Sequence, residues 1–121
     1  MARITHFEIP SDNPEKSMEF YKNSFGWTFH KFGDFDYWMA MSGPEGAPGI
    51  NGAVMKKLDP KQPMVNSINV PDIDAAIKAV TDNGGTIVVP KRAIPGVGWL
   101  AYFTDPDQHI MGIMMDDRSA R

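Results

Sequence analysis

The side chains best suited to acid–base chemistry lie near the start of the chain, where one residue separates His6 from Glu8. Residues two apart on a β-strand point to the same face of a sheet, so an imidazole and a carboxylate would lie side by side. A pair of this kind can move a proton next to a carbonyl group without a metal ion. The alternative is a hydrogen-bonded polar pair at the rim of a cavity. We predict His6 and Glu8 as candidate catalytic residues.

The sequence offers little for several other kinds of chemistry. It contains no cysteine, which excludes disulfides, thiolate metal sites and cysteine nucleophiles. The Gly/Pro-rich stretches 43–49 and 95–98 are not followed by helical patterns, so they do not predict a helix-end phosphate site. The net charge of −3 argues against a nucleic-acid partner. No apolar run approaches the roughly 18 residues of a membrane helix, and an apolar signal region is missing, so we expect no membrane partner and a cytoplasmic location.

The elements that must position these residues occur twice. Residues 38–41 (Trp-Met-Ala-Met) resemble residues 99–102 (Trp-Leu-Ala-Tyr) at an offset of 61, which also carries Ile9-Pro10 onto Val70-Pro71. With one residue deleted between them, Gly52 to Met55 match Gly112 to Met115 at an offset of 60. Several matches in order at nearly constant spacing predict a duplicated module.

Each half of the chain predicts the same order of elements, βαβββ. In the first half, a strand over 3–9 precedes a helix with Asn13 as its N-cap, Pro14 as its first residue and Gly26 as its stop. Strands over 27–32, 36–41 and 50–56 complete the first half. The second half predicts a strand over 64–70, a helix between Asp72 and Asn83, and strands over 86–89, 98–103 and 110–115. This order predicts an α+β fold in which each helix covers one face of a sheet.

The length of 121 residues corresponds to a single domain. We predict module one at 1–57, a Pro- and Lys-containing linker at 58–63, module two at 64–116 and a frayed tail at 117–121. Two open sheets leave unpaired edges that association would cover, so we expect a homodimer.

Several motifs in this duplicated pattern resemble the vicinal oxygen chelate superfamily, which includes glyoxalases, bleomycin-resistance proteins and extradiol dioxygenases. They are His-Phe-Glu-Ile-Pro at 6–10, Phe-Tyr at 20–21, Phe-Gly-Trp at 25–27 and Thr-Asp-Pro-Asp at 104–107. Pro-Gly-Ile-Asn-Gly at 48–52 and the stretch 94–102 look typical of small proteins related to lactoylglutathione lyase. The resemblance implies a curved mixed sheet around a cavity, with the helices on the outer face.

The resemblance also implies a divalent metal held by four strand residues of the His or Glu type. The corresponding positions here are His6, Gly52, Ser67 and Gly112, so only one of the four carries such a ligand. Because zinc sites with open positions still use about three protein ligands, we expect no metal cofactor. The alternative is a divalent metal at His6 and Glu8, completed by Asn69 or by a second chain.

Strand alternation and the resemblance together predict which residues line the cavity. The predicted ligand-binding residues are His6, Glu8, Gly52, Ser67, Asn69, Trp38, Trp99, Gly112 and Met114. The strand glycines can instead mark bends, and the two tryptophans can instead belong to the core.

Three functions remain open from the sequence. The first is a small-molecule-binding protein of the glyoxalase/bleomycin-resistance/dioxygenase type, without the usual metal and with an amphipathic or aromatic ligand. The second is a lyase or isomerase related to lactoylglutathione lyase, which uses His6 and Glu8 with or without a metal. The third is an interaction module with no small ligand.

Overall fold

The computed structural model describes residues 2–121 and confirms the predicted α+β fold of two βαβββ modules. Residues 5–64 form one compact unit, and residues 65–121 together with 2–4 form a second. The elements are β1 (Arg3–Ser11), α1 (Pro14–Phe25), β2 (Thr28–Lys31), β3 (Tyr37–Met41), β4 (Gly52–Lys56), β5 (Val65–Asn69), α2 (Ile73–Asp82), β6 (Thr86–Ile94), β7 (Gly98–Thr104) and β8 (Ile110–Asp116).

Both helices begin and end where the local sequence predicts. The side chain of Asn13 accepts a hydrogen bond from the backbone N–H of Lys16 at 3.2 Å, and Gly26 ends α1 with a left-handed φ of 75°. Asp72 caps α2 in the same way through the backbone N–H of Ala75, at 3.1 Å. Each cap satisfies backbone N–H groups that the first helical turn leaves unpaired.

In the first unit the strand order is β2-β3-β4-β1, with β1 parallel to β4 and the other pairs antiparallel. Glu8 pairs with Ala53, and Ala53 pairs with Met39. Since directly paired residues project from the same face of a sheet, these three side chains share one face. The opposite face carries Phe7, whose ring packs on Trp27 with centroids 5.7 Å apart. Trp27 in turn stacks on Tyr21 of α1 at 4.8 Å, so α1 covers the Phe7 side.

In the second unit the order is β5-β8-β7-β6, with β5 parallel to β8. Ser67 and Tyr102 both pair with Gly112 and share the face away from α2. The other face forms a core of buried side chains between sheet and helix, including Ile73 of α2 and Ile113 of β8. The alternation predicted for β5 and β8 agrees with this register.

The register corrects the predicted repeat. Trp38 pairs with Val54, and Trp99 pairs with Met115, so the offset is 61 on both strands of each pair. No residue is deleted between the copies. The sequence comparison aligned Gly52 with Gly112 because both are glycines, whereas position 112 corresponds to Asn51.

Two segments are more ordered than the sequence predicts. Strand β6 continues past Val89 to Ile94, with register shifts on either side of Val89 that accommodate the missing N–H of Pro90. The tail 117–121 is not frayed, since Ala120 is 1% exposed and its carbonyl accepts a hydrogen bond from the N–H of Gly96 at 3.0 Å.

Candidate functional site

A hydrogen-bonded row of three side chains lies on the first unit's sheet. The hydroxyl of Tyr37 donates to Oε2 of Glu8 at 2.8 Å, and Nε2 of His6 lies 2.7 Å from the same hydroxyl oxygen. The rings of His6 and Tyr37 are nearly parallel, at 13°, with centroids 6.4 Å apart. We call these residues the His6–Tyr37–Glu8 row, and the side of the sheet that carries them the His6 face.

The row crosses the sheet over β4, whose residue beside Glu8 is small. His6 and Glu8 are on β1, Tyr37 is on β3, and β4 runs between these strands. Two strand spacings are about 9.6 Å, a distance that the side chains of Tyr37 and Glu8 cover together. The register places the completely buried Ala53 of β4 beside Glu8. The phenol of Tyr37 therefore reaches over β4 to the carboxylate.

The direction of the hydrogen bonds fixes the proton positions. A tyrosine hydroxyl has one hydrogen, and here Glu8 accepts it, so Nε2 of His6 must donate to the Tyr37 oxygen. In a neutral imidazole the other nitrogen, Nδ1, is then an acceptor. Nδ1 has no hydrogen-bond partner within residues 2–121, where no side-chain nitrogen or oxygen is both buried and unpaired. Nδ1 is thus accessible to solvent or to a ligand.

The electrostatics favour a neutral imidazole. Burial lowers the pKa of His6 below its ordinary value of 6.5, and the nearby negative charge of Glu8 opposes this only in part. Glu8 itself is 7% exposed. The row thus joins a buried carboxylate to an uncharged imidazole through one hydroxyl.

Two predicted ligand-binding residues of the first unit, Gly52 and Trp38, lie on the α1 side of the sheet rather than on the His6 face. Gly52 pairs with Ala40, and Trp38 pairs with Val54. Along β3 and β4 these residues alternate with Met39 and Ala53, which share the face of Glu8. A Cβ at Gly52 would collide with the carbonyl oxygen and ring of Phe7. The missing side chain therefore makes room for Phe7 and not for a ligand.

In the second unit, four predicted residues share the face away from α2: Ser67, Asn69, Gly112 and Met114. Ser67 is 1% exposed, and its hydroxyl occupies the space that a Cβ at Gly112 would need. The amide of Asn69 donates to Asp116 at 3.4 Å.

Trp99 lies on the α2 side, packed against the core. Its indole N–H donates to Asp117 at 3.0 Å, and Nζ of Lys91 lies 4.7 Å from its ring centroid. Trp99 therefore takes the core position, which the sequence analysis gave as the alternative to lining the cavity.

The residues at the four metal-ligand positions do not fit a divalent cation. With the corrected repeat these positions hold His6, Asn51, Ser67 and Gly112. The side-chain oxygen of Asn51 already accepts a hydrogen bond from the N–H of Ser42 at 2.9 Å. One imidazole with a neutral amide and a hydroxyl falls short of the usual ligand sets. Across residues 2–121, no three His, Asp or Glu side chains are grouped so that they could hold a metal.

The alternative metal site at His6 and Glu8 meets a specific obstacle. The atoms that the two side chains turn towards each other, Nε2 and Oε2, both contact the hydroxyl of Tyr37. A metal bridging these atoms would have to displace that hydroxyl.

Tyr37 is the site residue that the sequence analysis missed. A signal was present, because alternation along β3 puts Tyr37 and Met39 on the face opposite Trp38. Once Trp38 is assigned to the helix side, Tyr37 must share a face with His6. Asn51 was missed because the glycine match misaligned the repeat.

The comparisons with known proteins agree with the fold. The model of the Glyoxalase/Bleomycin resistance protein/Dioxygenase superfamily matches residues 3–112, so the chain belongs to this superfamily. A protein of Didymella fabae, described as a glyoxylase-like domain-containing protein, is 34% identical over 89 residues, covering 69% of this chain and 70% of that protein.

Solved structures share the architecture at low identity. A glyoxalase/bleomycin resistance protein/dioxygenase superfamily member from Vibrio splendidus 12B01 superposes with a TM-score of 0.67 at 14% identity, covering 96% of this chain and all (100%) of that one. Methylmalonyl-CoA epimerase from Mycobacterium tuberculosis gives a TM-score of 0.67 at 15% identity, covering 94% and 87%. At such identities the likeness concerns the fold alone.

Within residues 2–121, neither helix has the length and apolar character needed to cross a membrane.

Proposed function

We propose that this chain is a small-molecule-binding protein whose ligand docks on the His6 face without a divalent metal. The observation that carries the proposal is the His6–Tyr37–Glu8 row, which holds a buried carboxylate and leaves one imidazole nitrogen accessible. Small-molecule sites typically set a few placed polar groups in an apolar lining. The row has such a setting, since Met39, Ala53 and Met55 share its face.

The chemistry of the row favours a ligand site over simple packing. A buried charge is costly unless it is hydrogen-bonded, and an apolar residue at Glu8 would avoid the cost. A carboxylate kept there, with an imidazole joined to it through a tyrosine, suits the recognition of a polar group on an otherwise amphipathic or aromatic molecule. The methionines add adaptable, polarisable surface that suits aromatic rings.

The test is a ligand screen read out at the site. The nine methionines can be labelled with ¹³C at their methyl groups, and a fragment library can be screened by NMR in the presence of EDTA. We expect hits that shift the Met39 and Met55 signals and that bind at least about tenfold more weakly to Tyr37→Phe, which lacks the central hydroxyl. Glu45→Gln, in an exposed loop, is the matched control and should bind as the wild type does.

Two results would count against this function. Hits that need added Zn²⁺ or Mn²⁺ would contradict a metal-independent site. Hits that shift other methionines and bind equally well to Tyr37→Phe would place the ligand elsewhere.

A second candidate is proton transfer of the lyase or isomerase kind, favoured by the accessible Nδ1 of His6. If Nδ1 removes a proton from carbon next to a carbonyl, the resulting imidazolium is stabilised by Glu8 through the hydroxyl of Tyr37. Returning that proton to a neighbouring atom of the same substrate completes an isomerisation, and neither step requires an oxidant or a metal.

The hemithioacetal of methylglyoxal and glutathione is the probe for this candidate. Thioester formation in EDTA should be measured by absorbance for the wild type, His6→Ala and His109→Ala. Catalysis by His6 predicts a loss of about a hundredfold or more in His6→Ala, with His109→Ala unchanged. Ligand binding without turnover of this probe would favour the binding function.

We also propose a homodimer. Within the two units, β2 and β6 each pair with a strand on one side only, and such edges are commonly covered by association. Sedimentation equilibrium would measure the mass directly, and a monomer at all concentrations would reject the dimer.

A further inference from the structure

We infer that the His6 face selects uncharged ligands that donate a hydrogen bond, with a phenol as the preferred class, and discriminates against carboxylates. This inference rests on the proposed function, because it names the chemistry of the ligand for that same site. It follows from three features: the direction of the hydrogen bonds in the row, the negative charge of Glu8 and the apolar residues around the row.

The row is directional because Glu8, as a carboxylate, can only accept hydrogen bonds. The hydrogen of Tyr37 points to Glu8, and the Nε2 hydrogen of His6 points to Tyr37. Both hydrogens in the row thus point towards Glu8, and Nδ1 of His6 presents a lone pair at the other end. A ligand group that meets Nδ1 must supply a hydrogen of its own.

The charge of the row disfavours anions. Glu8 is 7% exposed, and charge–charge interactions are stronger in such surroundings than in water. Within residues 5–64, no lysine or arginine is found among the strand residues that share the His6 face. These residues are His6, Glu8, Pro10, Thr28, His30, Tyr37, Met39, Met41, Ala53 and Met55. An incoming carboxylate would find no lysine or arginine among them and the negative charge of Glu8 close by.

The apolar neighbours favour an aromatic body for the ligand. Ala53 and Met39 flank Glu8 across β4 and β3, and Met55 pairs with Tyr37. Methionine sulfur contacts aromatic rings favourably and adapts to their shape. A phenol supplies both the aromatic ring and the hydrogen-bond donor, whereas an aliphatic alcohol supplies only the donor.

Three ligands of equal ring size test the inference: p-cresol, its methyl ether p-methylanisole, and p-toluate. At about pH 7.5 the cresol keeps its proton, because phenols ionise near pH 10, whereas toluate is an anion. Titrations of the methyl-labelled protein should show p-cresol binding about tenfold or more tightly than p-methylanisole, which lacks the donor. Toluate should bind more weakly still.

Glu8→Gln provides a sharper test because it permits the row to reverse. A glutamine amide can donate to the oxygen of Tyr37, whose hydrogen then turns to Nε2 of His6, so that Nδ1 carries the proton and donates. We expect the ratio of toluate to cresol affinity to rise at least about tenfold in Glu8→Gln, and to remain at the wild-type value in Glu45→Gln. Thermal unfolding of each variant would verify that it is folded.

His6→Phe gives a second readout that does not depend on residue 8. Without Nδ1, p-cresol and p-methylanisole should bind with equal affinity. The inference is overturned if wild-type protein binds toluate as tightly as p-cresol, or if p-cresol does not bind. The proposed function fails separately, when no member of the wider library shifts Met39 and Met55 in the wild type.

Discussion

The ring of Phe7 fills the space in which a side chain at Gly52 would lie. A Cβ at residue 52 would overlap both the ring and the carbonyl oxygen of Phe7. Phe7 also packs on Trp27, so the ring has packed neighbours on more than one side. Gly52 is therefore a packing requirement of the α1 side of the sheet.

Gly52→Ala should destabilise the fold without affecting the ligand site. Overpacking of this kind typically costs about 1–3 kcal/mol, and the clash with a backbone oxygen favours the upper part of that range. Urea denaturation measures the change. Gly43→Ala is the matched control, because nothing lies within 4 Å of a Cβ at residue 43. Equal stability of the two variants would contradict the packing at Gly52.

Gly112→Ala should be rescued in part by Ser67→Ala. The atom nearest to a Cβ at residue 112 is the hydroxyl oxygen of Ser67, with the Ser67 Cβ at 3.2 Å. We expect Gly112→Ala alone to lose about 1–3 kcal/mol of unfolding free energy. The double variant should be more stable than the sum of the two single changes implies. A double-mutant cycle with no coupling would show that the clash is relieved elsewhere.

Tyr37→Phe should weaken the fold and alter the titration of His6. The substitution keeps the ring but removes the hydroxyl that joins the imidazole to the carboxylate. Loss of hydrogen bonds to a buried charged group costs about 1–3 kcal/mol, which chemical denaturation can measure. NMR of the His6 ring should show a changed pKa, with His109 as the internal control in the same spectra. An unchanged His6 titration would mean that the row does not persist in solution.

Stability should depend on pH through His6. Because burial lowers its pKa in the folded state below 6.5, the unfolded chain binds a proton first as the pH falls. The contribution of His6 to the free energy of unfolding is fully present above pH 6.5, and it is lost as the pH falls from that value to the lowered pKa of the folded state. His6→Gln should remove this component of the pH dependence, and His109→Gln should retain it. Parallel loss of stability in wild type and His6→Gln across this window would contradict the assignment.

The parts of the structure governed by short-range chemistry were the parts that the sequence predicts best. Asn13, Gly26 and Asp72 set helix boundaries through contacts within one turn, so their residue types suffice. The faces of β5 and β8 followed from alternation. Tyr37 was missed because its role depends on reaching across a neighbouring strand, which only the strand register shows.

The errors arose where identity of residue type was taken for equivalence of position. Gly52 and Gly112 look like partners in the sequence, yet one accommodates Phe7 on the helix side and the other accommodates Ser67 on the opposite face. The order of the tail was missed because Ala120 is buried through contacts with the turn at Gly96, more than twenty residues earlier in the chain.

The constant offset between the two copies has an engineering consequence. Trp38 and Val54 are as far apart along the chain as Trp99 and Met115, so the segment 42–51 of the first copy is as long as the equivalent segment 103–112 of the second. The two segments can be exchanged without inserting or deleting a residue, and the exchange replaces the pairs that Phe103 and Thr104 form with the start of β8. Such hybrids would separate what these segments contribute to recognition from what they contribute to closing the hairpin.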